Sequence, residues 1–593
     1  MSTAVALGEP VPAPAQRAIL LDAYAARSCP VKTQHRFDPA VPPAPLLPAG
    51  PDDPVAVRRE AGHRFRAVVL EELIERCRGR VADLRLLAAD GPQVRAGATC
   101  RALADGVDVV VGPALPPDPA GHRSGAPDLL VRGEDGPTGP TYHPVLVRRH
   151  KIVEPVRPPR EGQAPRKGQE PREPEAQPYT SLEQPRPPGF ARLPGATVRL
   201  YTRESDFRQL AHSHRLLQAA GFAAARAWAA VIGSDEVAGG PVLCWTDLAE
   251  PRLRTAAPET ENGWRRASVL DRYDDAFARR LAIAEAAAAG CAPVVEPVVV
   301  GECATCPWWE RCRSRLDEQD VSLRIDRGAL DRREVEALRA LEVGTVHALA
   351  TADLPALLPT YLPLVAHRSS PEGRLRTAVR RARMLVDGTD FARETSGPVK
   401  VPGAQVEVDF DLETAADGRI YLWGFRLESG TDPGPGRYVA FARFADLDED
   451  AETALAVEAM SWLRERVEEG ASVAVYHYSG FEVAQIEALA ARSGDPVLGW
   501  AAAYAREHFV DLLEVVKEHW FGVHGLGLKL IAGHAGFRWR DDDPGGLNSQ
   551  SWFADAVHAP DAAARERARQ RVLDYNEDDV RATAHLRAWL RHG

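Results

Sequence analysis

The stretch Val406-Glu407-Val408-Asp409-Phe410-Asp411-Leu412-Glu413-Thr414 alternates apolar and acidic residues up to its last position. Successive side chains of a β-strand point to opposite faces, so the pattern predicts a strand with one apolar and one acidic face. Neighbouring like charges destabilise a sheet, and burial disfavours each ionised carboxylate. A divalent cation held between the carboxylates removes both penalties. The alternative is an edge strand whose acidic face lies in water.

Two later stretches carry further acidic residues that are candidates for the same site. Residues 471–478 are typical of a buried strand, and Ser479-Gly480 leads from it into a predicted helix with Glu482 in its first turn. Glu482 therefore lies at the carboxyl end of a strand, where open α/β sheets bind their ligands. Residues 573–580, Leu-Asp-Tyr-Asn-Glu-Asp-Asp-Val, open a second predicted helix. Tyr575 and Asp579 are four residues apart and share one face of it.

A D-x-E strand, a carboxylate after a later strand and a Y-x-x-x-D helix follow one another in this order. The set resembles the DEDDy 3′–5′ exonucleases of the RNase H-like superfamily over residues 401–593. That family's second motif usually carries Asp, and here it is Glu482, one methylene longer.

This resemblance implies a two-metal mechanism on a nucleic acid, DNA or RNA, with a single-stranded 3′ end. Hard oxygen ligands favour Mg²⁺ or Mn²⁺ over zinc. Tyr575 would orient the attacking water. The implied ligands of the two ions are Asp411, Glu413, Glu482 and Asp579.

A second motif is C-x₂-C-x₅-C at residues 303–312, with a distant Cys29-Pro30 near the N-terminus. Three close thiolates need a fourth ligand to complete a metal or cluster site. The layout resembles the iron–sulfur motif of RecB-like nucleases and implies a 4Fe–4S cluster, with zinc or free thiols as the alternatives. The implied ligands are Cys29, Cys303, Cys306 and Cys312.

The region between these cysteines resembles the PD-(D/E)XK core of RecB-like nucleases, but three positions differ. Leu146 and Arg148 replace the family's acid-x-Lys pair, and Ser213 stands where the family has Tyr. Leu cannot bind a metal, and an always-charged Arg cannot serve as an acid or base. We therefore expect a degenerate nuclease fold that binds nucleic acid. The polar residues of its site are His63, Asp128, Arg148 and Gln209.

Composition sets the limits of the interpretation. A chain of 593 residues is too long for one core, and 45% hydrophobic with 26% charged residues is ordinary for a soluble protein. No run of about 18 apolar residues occurs, and the first residues do not resemble a signal peptide, so we expect a cytoplasmic protein without a membrane span. The net charge of −11 argues against a strongly basic surface but allows a local basic groove.

The predicted organisation is an α/β multidomain chain. Lys529, and Arg380 and Arg381 on a basic helix, are predicted to contact phosphates. Residues 263–290 are predicted to be helical. The predicted segments are a disordered tail (1–18), a RecB-like PD-(D/E)XK domain (19–318) with a Pro-rich mobile loop (152–190), a helical spacer like a helix–hairpin–helix module (319–365), a basic linker helix (366–400) and an RNase H-like exonuclease domain (401–593).

The whole order resembles a bacterial family of RecB-like nucleases with a fused C-terminal RNase H-like domain. It implies a metal-dependent nuclease that hydrolyses phosphodiester bonds. One alternative is a catalytically poor adaptor that binds nucleic acid in a DNA repair or defence pathway. Another is a different phosphoryl or hydrolytic reaction at the acidic face. The sequence indicates no particular protein partner.

Overall fold

The structure is a computed structural model that divides into two compact units. The first comprises Met1–Leu47, Gly62–Leu316 and Leu362–Ser369, and the second comprises Pro48–Ala61, Asp317–Tyr361 and Ser370–Gly593. The described residues are 19–44, 54–155, 178–187, 191–192, 198–200, 203–235, 240–257, 259–261, 263–429, 432–541 and 546–592. The predicted tail 1–18 and most of the predicted loop 152–190 lie outside them.

Up to residue 313 the described chain forms six helices and twelve strands. The helices are α1 (Pro30–Phe37), α2 (Pro54–Arg76), α3 (Pro92–Ala104), α4 (Glu204–Ala219), α5 (Val269–Ala288) and α6 (Trp309–Arg313). The strands are β1 (Val81–Asp83), β2 (Val109–Val111), β3 (Leu129–Arg132), β4 (Tyr142–Val147), β5 (Val153–Pro155), β6 (Pro178–Ser181), β7 (Ala191–Arg192), β8 (Val198–Leu200), β9 (Trp228–Ile232), β10 (Val242–Asp247), β11 (Leu253–Ala256) and β12 (Trp264–Ala267).

The first unit is built on an eight-stranded mixed sheet in the order β1-β2-β3-β4-β9-β10-β6-β7. The pairs β1–β2 and β4–β9 are parallel, and the other pairs are antiparallel. Successive residues of β4 face opposite layers of the core, as strand geometry requires. Leu146 packs with Leu210 of α4 and Tyr273 of α5, whereas Val145 packs with Leu73 of α2.

The prediction of helix throughout residues 263–290 is wrong at its start. Trp264–Ala267 forms β12, which pairs with β11 in antiparallel register. The guanidinium of Arg254 on β11 lies 4.1 Å from the ring centre of Trp264, so a cross-strand contact overrides the local helical pattern. The helix begins only at Val269, after Ser268 and Asp271 form a capping box.

The described chain after residue 316 forms twelve helices and seven strands. The helices are α7 (Val321–Arg324), α8 (Arg332–Ala340), α9 (Val346–Thr351), α10 (Leu354–Leu364), α11 (Pro371–Val386), α12 (Glu449–Glu468), α13 (Phe481–Ser493), α14 (Pro496–His508), α15 (Leu512–His519), α16 (Leu528–His534), α17 (Gly546–His558) and α18 (Ala562–His592). The strands are β13 (Phe391–Arg393), β14 (Val406–Thr414), β15 (Ile420–Ser429), β16 (Asp432–Ala442), β17 (Val473–His477), β18 (Phe509–Asp511) and β19 (Trp520–Gly522).

The second unit contains a five-stranded sheet in the order β16-β15-β14-β17-β18, with β14 at its centre. β14, β15 and β16 are antiparallel, whereas β17 is parallel to β14 and β18 is parallel to β17. The apolar face of β14 is buried against Leu455 of α12 and Ala501 of α14. The predicted alternation is thus confirmed, and the alternative of an edge strand is excluded.

Helix α18 lies against the acidic face of β14. Its start at Ala562 is upstream of the predicted start near residue 573, because the Asp561 carboxylate accepts hydrogen bonds from the Ala563 and Ala564 amides and caps the helix. The buried Arg587 of α18 lies 3.0 Å from the Asp409 carboxylate and also pairs with Glu407. Guanidinium groups therefore neutralise the first half of the acidic row.

No helix of the described residues is long and apolar enough to cross a membrane.

Candidate active site

Three carboxylates of the second unit converge at the carboxyl end of β14. Asp411 and Glu413 extend from this strand, and Asp579 extends from α18. One oxygen of each lies within 4.8 Å of the others. Such a set of oxygen ligands suits Mg²⁺ or Mn²⁺.

These carboxylates carry more negative charge than their surroundings compensate. Burial and the charges of Glu413 and Asp579 raise the pKa of Asp411 well above its usual value. Burial and Asp579 raise the pKa of Glu413 to about 8. Burial also raises the pKa of Asp579, although Lys529 opposes this, with its ammonium 4.0 Å from the carboxylate. Positive charge added between these groups would relieve the repulsion, so the residues fit a divalent cation.

Each of the three carboxylates accepts a hydrogen bond from a side chain that is not itself a candidate metal ligand. The donors are Asn576 to Asp411 (2.8 Å), Ser549 to Glu413 (2.8 Å) and Trp539 to Asp579 (2.7 Å). Such donors orient metal ligands before the metal binds. The sequence analysis missed all three, because Ser549 and Trp539 lie outside the motifs and Asn576 occupies an unspecified position of Y-x-x-x-D.

Tyr575 lies beside Asp579, as the four-residue spacing predicts. Its hydroxyl accepts a hydrogen bond from Lys529, with 2.7 Å between Nζ and the oxygen, and is hydrogen-bonded to Asp579. Burial and the carboxylates Asp579 and Glu413 raise the pKa of Tyr575 strongly, so its hydroxyl stays protonated at neutral pH. The group can orient a water but does not act as a base.

Glu482 lies outside the group of three carboxylates, although its charge contributes to the raised pKa of Asp411. Its carboxylate is 3.3 Å from Nδ1 of His477, the last residue of β17, and 3.5 Å from the hydroxyl of Ser479. The intervening turn places Ser479 at a φ of 109°, a conformation that non-glycine residues rarely adopt. Burial raises the pKa of Glu482, and His477 opposes the shift.

The N-terminal unit brings together Asp128, Arg148 and Gln209, as the resemblance implies. The guanidinium of Arg148 donates to Asp128 (3.0 Å), Gln209 (2.7 Å) and Asp206 (3.2 Å), a residue that the sequence analysis did not single out. A cation of the chain itself therefore lies between the oxygen atoms of this site. His63 lies exposed on α2.

The four predicted cluster ligands line one pocket of the first unit. Glu302 joins its two sides, because it accepts a hydrogen bond from the Cys29 amide and pairs with Lys32. Burial and the neighbouring thiolates of Cys29 and Cys306 raise the pKa of Cys312 to about 11. All four cysteines are described, and no three of their sulfur atoms lie within 4.8 Å of one another.

The two predicted phosphate-binding arginines of α11 have partners within the second unit. Arg380 pairs with Glu394 and lies 3.9 Å from the ring centre of Phe521. Arg381 lies 4.8 Å from the same ring centre and donates to the Val523 carbonyl at 2.9 Å. Their contact with nucleic acid stays a prediction.

Comparison with known proteins gives one match. A family model described as RNase_H superfamily matches residues 408–591, which run from β14 into α18 and include all three converging carboxylates. No curated protein and no solved structure matches the chain. The protein is therefore a multidomain α/β chain with an RNase H-like domain at its C-terminal end. A domain of this class suggests a metal-dependent nuclease.

The pH dependence of stability tests the raised pKa of Glu413. The folded-state pKa of about 8 lies above the value of about 4.3 for an unfolded glutamate. Between these values the folded protein keeps a proton that the unfolded chain has lost, so the stabilisation present at low pH is lost as pH rises towards 8. We expect the melting temperature of metal-free protein to fall across this window, and Glu413→Gln to reduce the fall. Saturating Mn²⁺ should oppose the fall, because it binds deprotonated carboxylates.

The matched control is Glu468→Gln, which removes a carboxylate from an exposed pair with Arg464 and should keep the wild-type pH profile. Identical profiles for wild type and Glu413→Gln, with no shift on adding Mn²⁺, would contradict the assignment of a cation site.

Proposed function

We propose that the protein is a metal-dependent nuclease whose C-terminal site removes nucleotides from the 3′ end of DNA or RNA. The observation that carries the proposal is the group Asp411, Glu413 and Asp579. These carboxylates lie together, with Glu413 and Asp579 buried and Asp411 half-buried, have raised pKa values and are oriented by separate donors. The match of residues 408–591 to the RNase_H superfamily supports a phosphodiester substrate.

Two Mg²⁺ or Mn²⁺ ions would be held by Asp411, Glu413, Asp579 and Glu482. When bound, these ions activate a water and stabilise the charge on the leaving oxygen. Glu482 enters this set by its place after β17 and by its effect on the pKa of Asp411. His477 and Ser479 both contact Oε2 of Glu482.

The remaining side chains of the site would position the substrate. The Tyr575 hydroxyl donates its proton to Asp579, and its remaining lone pair can accept a hydrogen bond from the attacking water. Lys529 holds that hydroxyl from the opposite side and supplies a positive charge for the phosphate. Exposed aromatic side chains near positive charge bind single strands by stacking on the bases, and Phe481, next to Glu482 in the sequence, is exposed.

We propose that the N-terminal unit binds nucleic acid and does not cleave it. Arg148 donates to one oxygen of Asp128 and to the side-chain oxygen of Gln209, where a catalytic metal would need ligands. Leu146 is buried in the apolar core and offers no ligand. The Arg148 guanidinium in this site and the PD-(D/E)XK resemblance support a nuclease fold that has lost its catalytic activity.

A specific observation favours the second candidate, a catalytically poor adaptor of a repair or defence pathway. Glu482 lies outside the group of three carboxylates and is hydrogen-bonded to His477. If substrate does not draw Glu482 towards the other ligands, the second ion has too few of them. Nucleic acid binding without cleavage would then be the activity.

Degradation of a 5′-labelled single strand distinguishes these candidates. We expect wild type with Mn²⁺ to give a ladder that shortens from the 3′ end. Asp411→Asn should slow cleavage by about 10³-fold, because losing several kcal/mol of transition-state stabilisation costs tenfold per 1.36 kcal/mol. Asp128→Asn is the matched control in the other unit and should retain the wild-type rate.

Loss of cleavage only in Asp128→Asn would assign catalysis to the N-terminal unit. Intact binding without cleavage by wild type would support the adaptor.

We further propose that Cys29, Cys303, Cys306 and Cys312 bind a 4Fe–4S cluster that ties the first unit together. The four cysteines line one pocket, and the layout resembles the iron–sulfur motif of RecB-like nucleases, with zinc as the alternative. The cytoplasm, where thiols stay reduced, is the compartment that suits such a site, and none of the eight cysteines forms a disulfide bond.

Iron analysis after anaerobic purification tests the cluster. We expect about four irons with matching sulfide per chain, and broad visible absorption that dithionite bleaches. Cys312→Ser should lose most of this iron, whereas Cys291→Ser, at an exposed cysteine outside the pocket, should keep it. One zinc per chain and no iron would contradict the proposal.

A further inference from the structure

Asn576 contacts the centre of the site although no catalytic motif includes it. It is fully buried on α18, between Tyr575 and Asp579. Its side-chain nitrogen donates to Oδ2 of Asp411 over 2.8 Å. Its side-chain oxygen accepts a hydrogen bond from the Tyr438 hydroxyl of β16, also over 2.8 Å.

The second carboxylate of the D-x-E strand has a donor of its own. Asp411 and Glu413 lie on the same face of β14, two residues apart. Glu413 accepts its hydrogen bond from the Ser549 hydroxyl over 2.8 Å. The amide of Asn576 therefore acts on Asp411.

The chemistry of the partners fixes the orientation of the amide. The nitrogen of Asn576 faces Asp411 and its oxygen faces the Tyr438 hydroxyl. A carboxylate that binds a cation is ionised and only accepts hydrogen bonds, so this orientation of the amide suits the metal-bound state. The Tyr438 hydroxyl is then the donor in its contact with Asn576.

Gly424 makes the arrangement sterically possible. It lies directly opposite Asp411 in the antiparallel register of β14 and β15. A Cβ at this position would lie 1.6 Å from the side-chain oxygen of Asn576 and 2.7 Å from its Cγ. Gly424 does not have a positive φ, so its backbone does not require glycine. A glycine weakens the interior of a strand, and here the space it leaves is filled by the Asn576 amide.

We propose that Asn576 is a positioning residue of the metal centre, which holds the carboxylate of Asp411 in the orientation that a divalent cation needs, and that Gly424 and Tyr438 place its amide. The inference deepens the proposed function and rests on it in one respect, namely that Asp411 and Glu413 bind the cation.

Titration of the full-length protein with Mn²⁺ alone, by calorimetry, tests the role without relying on nuclease activity. Loss of a side chain that orients a metal ligand typically weakens metal binding by about 10–100-fold. We expect that loss for Asn576→Ala and also for Gly424→Ala, whose new Cβ displaces the amide. Tyr438→Phe removes one oxygen and should give a smaller loss in the same direction.

A double-mutant cycle separates positioning from general damage. In the Asn576→Ala background the space beside residue 424 is empty, so Gly424→Ala should cause no further loss of Mn²⁺ affinity. Thr583→Ala is the matched control, because the Thr583 hydroxyl is buried on the same helix and bonds only to the Asp579 backbone carbonyl. It should keep the wild-type Mn²⁺ affinity.

The outcomes distinguish this inference from the proposed function. No Mn²⁺ binding by wild type would overturn the cation site and the inference with it. Wild-type binding with unchanged affinity in Asn576→Ala, or additive losses in the double variant, would overturn only the role of Asn576. If Asn576→Ala fails to fold, an unchanged affinity in both Tyr438→Phe and Gly424→Ala would also overturn it.

Discussion

Charge compensation along β14 is the constraint on which the C-terminal unit depends. This central strand presents four carboxylates to one helix, and a buried carboxylate without a partner is strongly destabilising. Glu407 and Asp409 are neutralised by arginines, chiefly Arg587. Asp411 and Glu413 meet another carboxylate instead. Since α18 supplies both the guanidinium groups and Asp579, the packing of one helix neutralises half of the row and completes a cation site in the other half.

In the N-terminal unit, clustered carboxylates are also compensated by positive charge, but here an arginine supplies it. There Arg148 lies among Asp128, Asp206 and Gln209, and its guanidinium provides the positive charge permanently. An arginine stays charged at all relevant pH values, so such a site is stable without a metal and has no need to recruit one. In the first unit, a side chain of the protein itself supplies the positive charge of the site. In the second unit, the three converging carboxylates have too little positive charge around them.

The sequence predicts the parts of this account that follow from local periodicity. Alternation along β14 gave its two faces, and the four-residue spacing placed Tyr575 next to Asp579. Partners contributed by other elements could not be predicted in this way. Ser549 and Trp539 carry no local pattern, and the need for glycine at Gly424 becomes visible only when the Asn576 side chain is seen against β15. Glu482 fits the motif by order, but its contact with His477 depends on how the turn after β17 folds.

The most direct test of the central claim is the anomalous scattering of Mn²⁺ in crystals of the full-length protein. The account predicts bound manganese in contact with the carboxylates of Asp411, Glu413 and Asp579. It predicts no manganese at Glu407 and Asp409, where arginines already supply the charge. An empty group of three carboxylates at saturating Mn²⁺ would contradict the account.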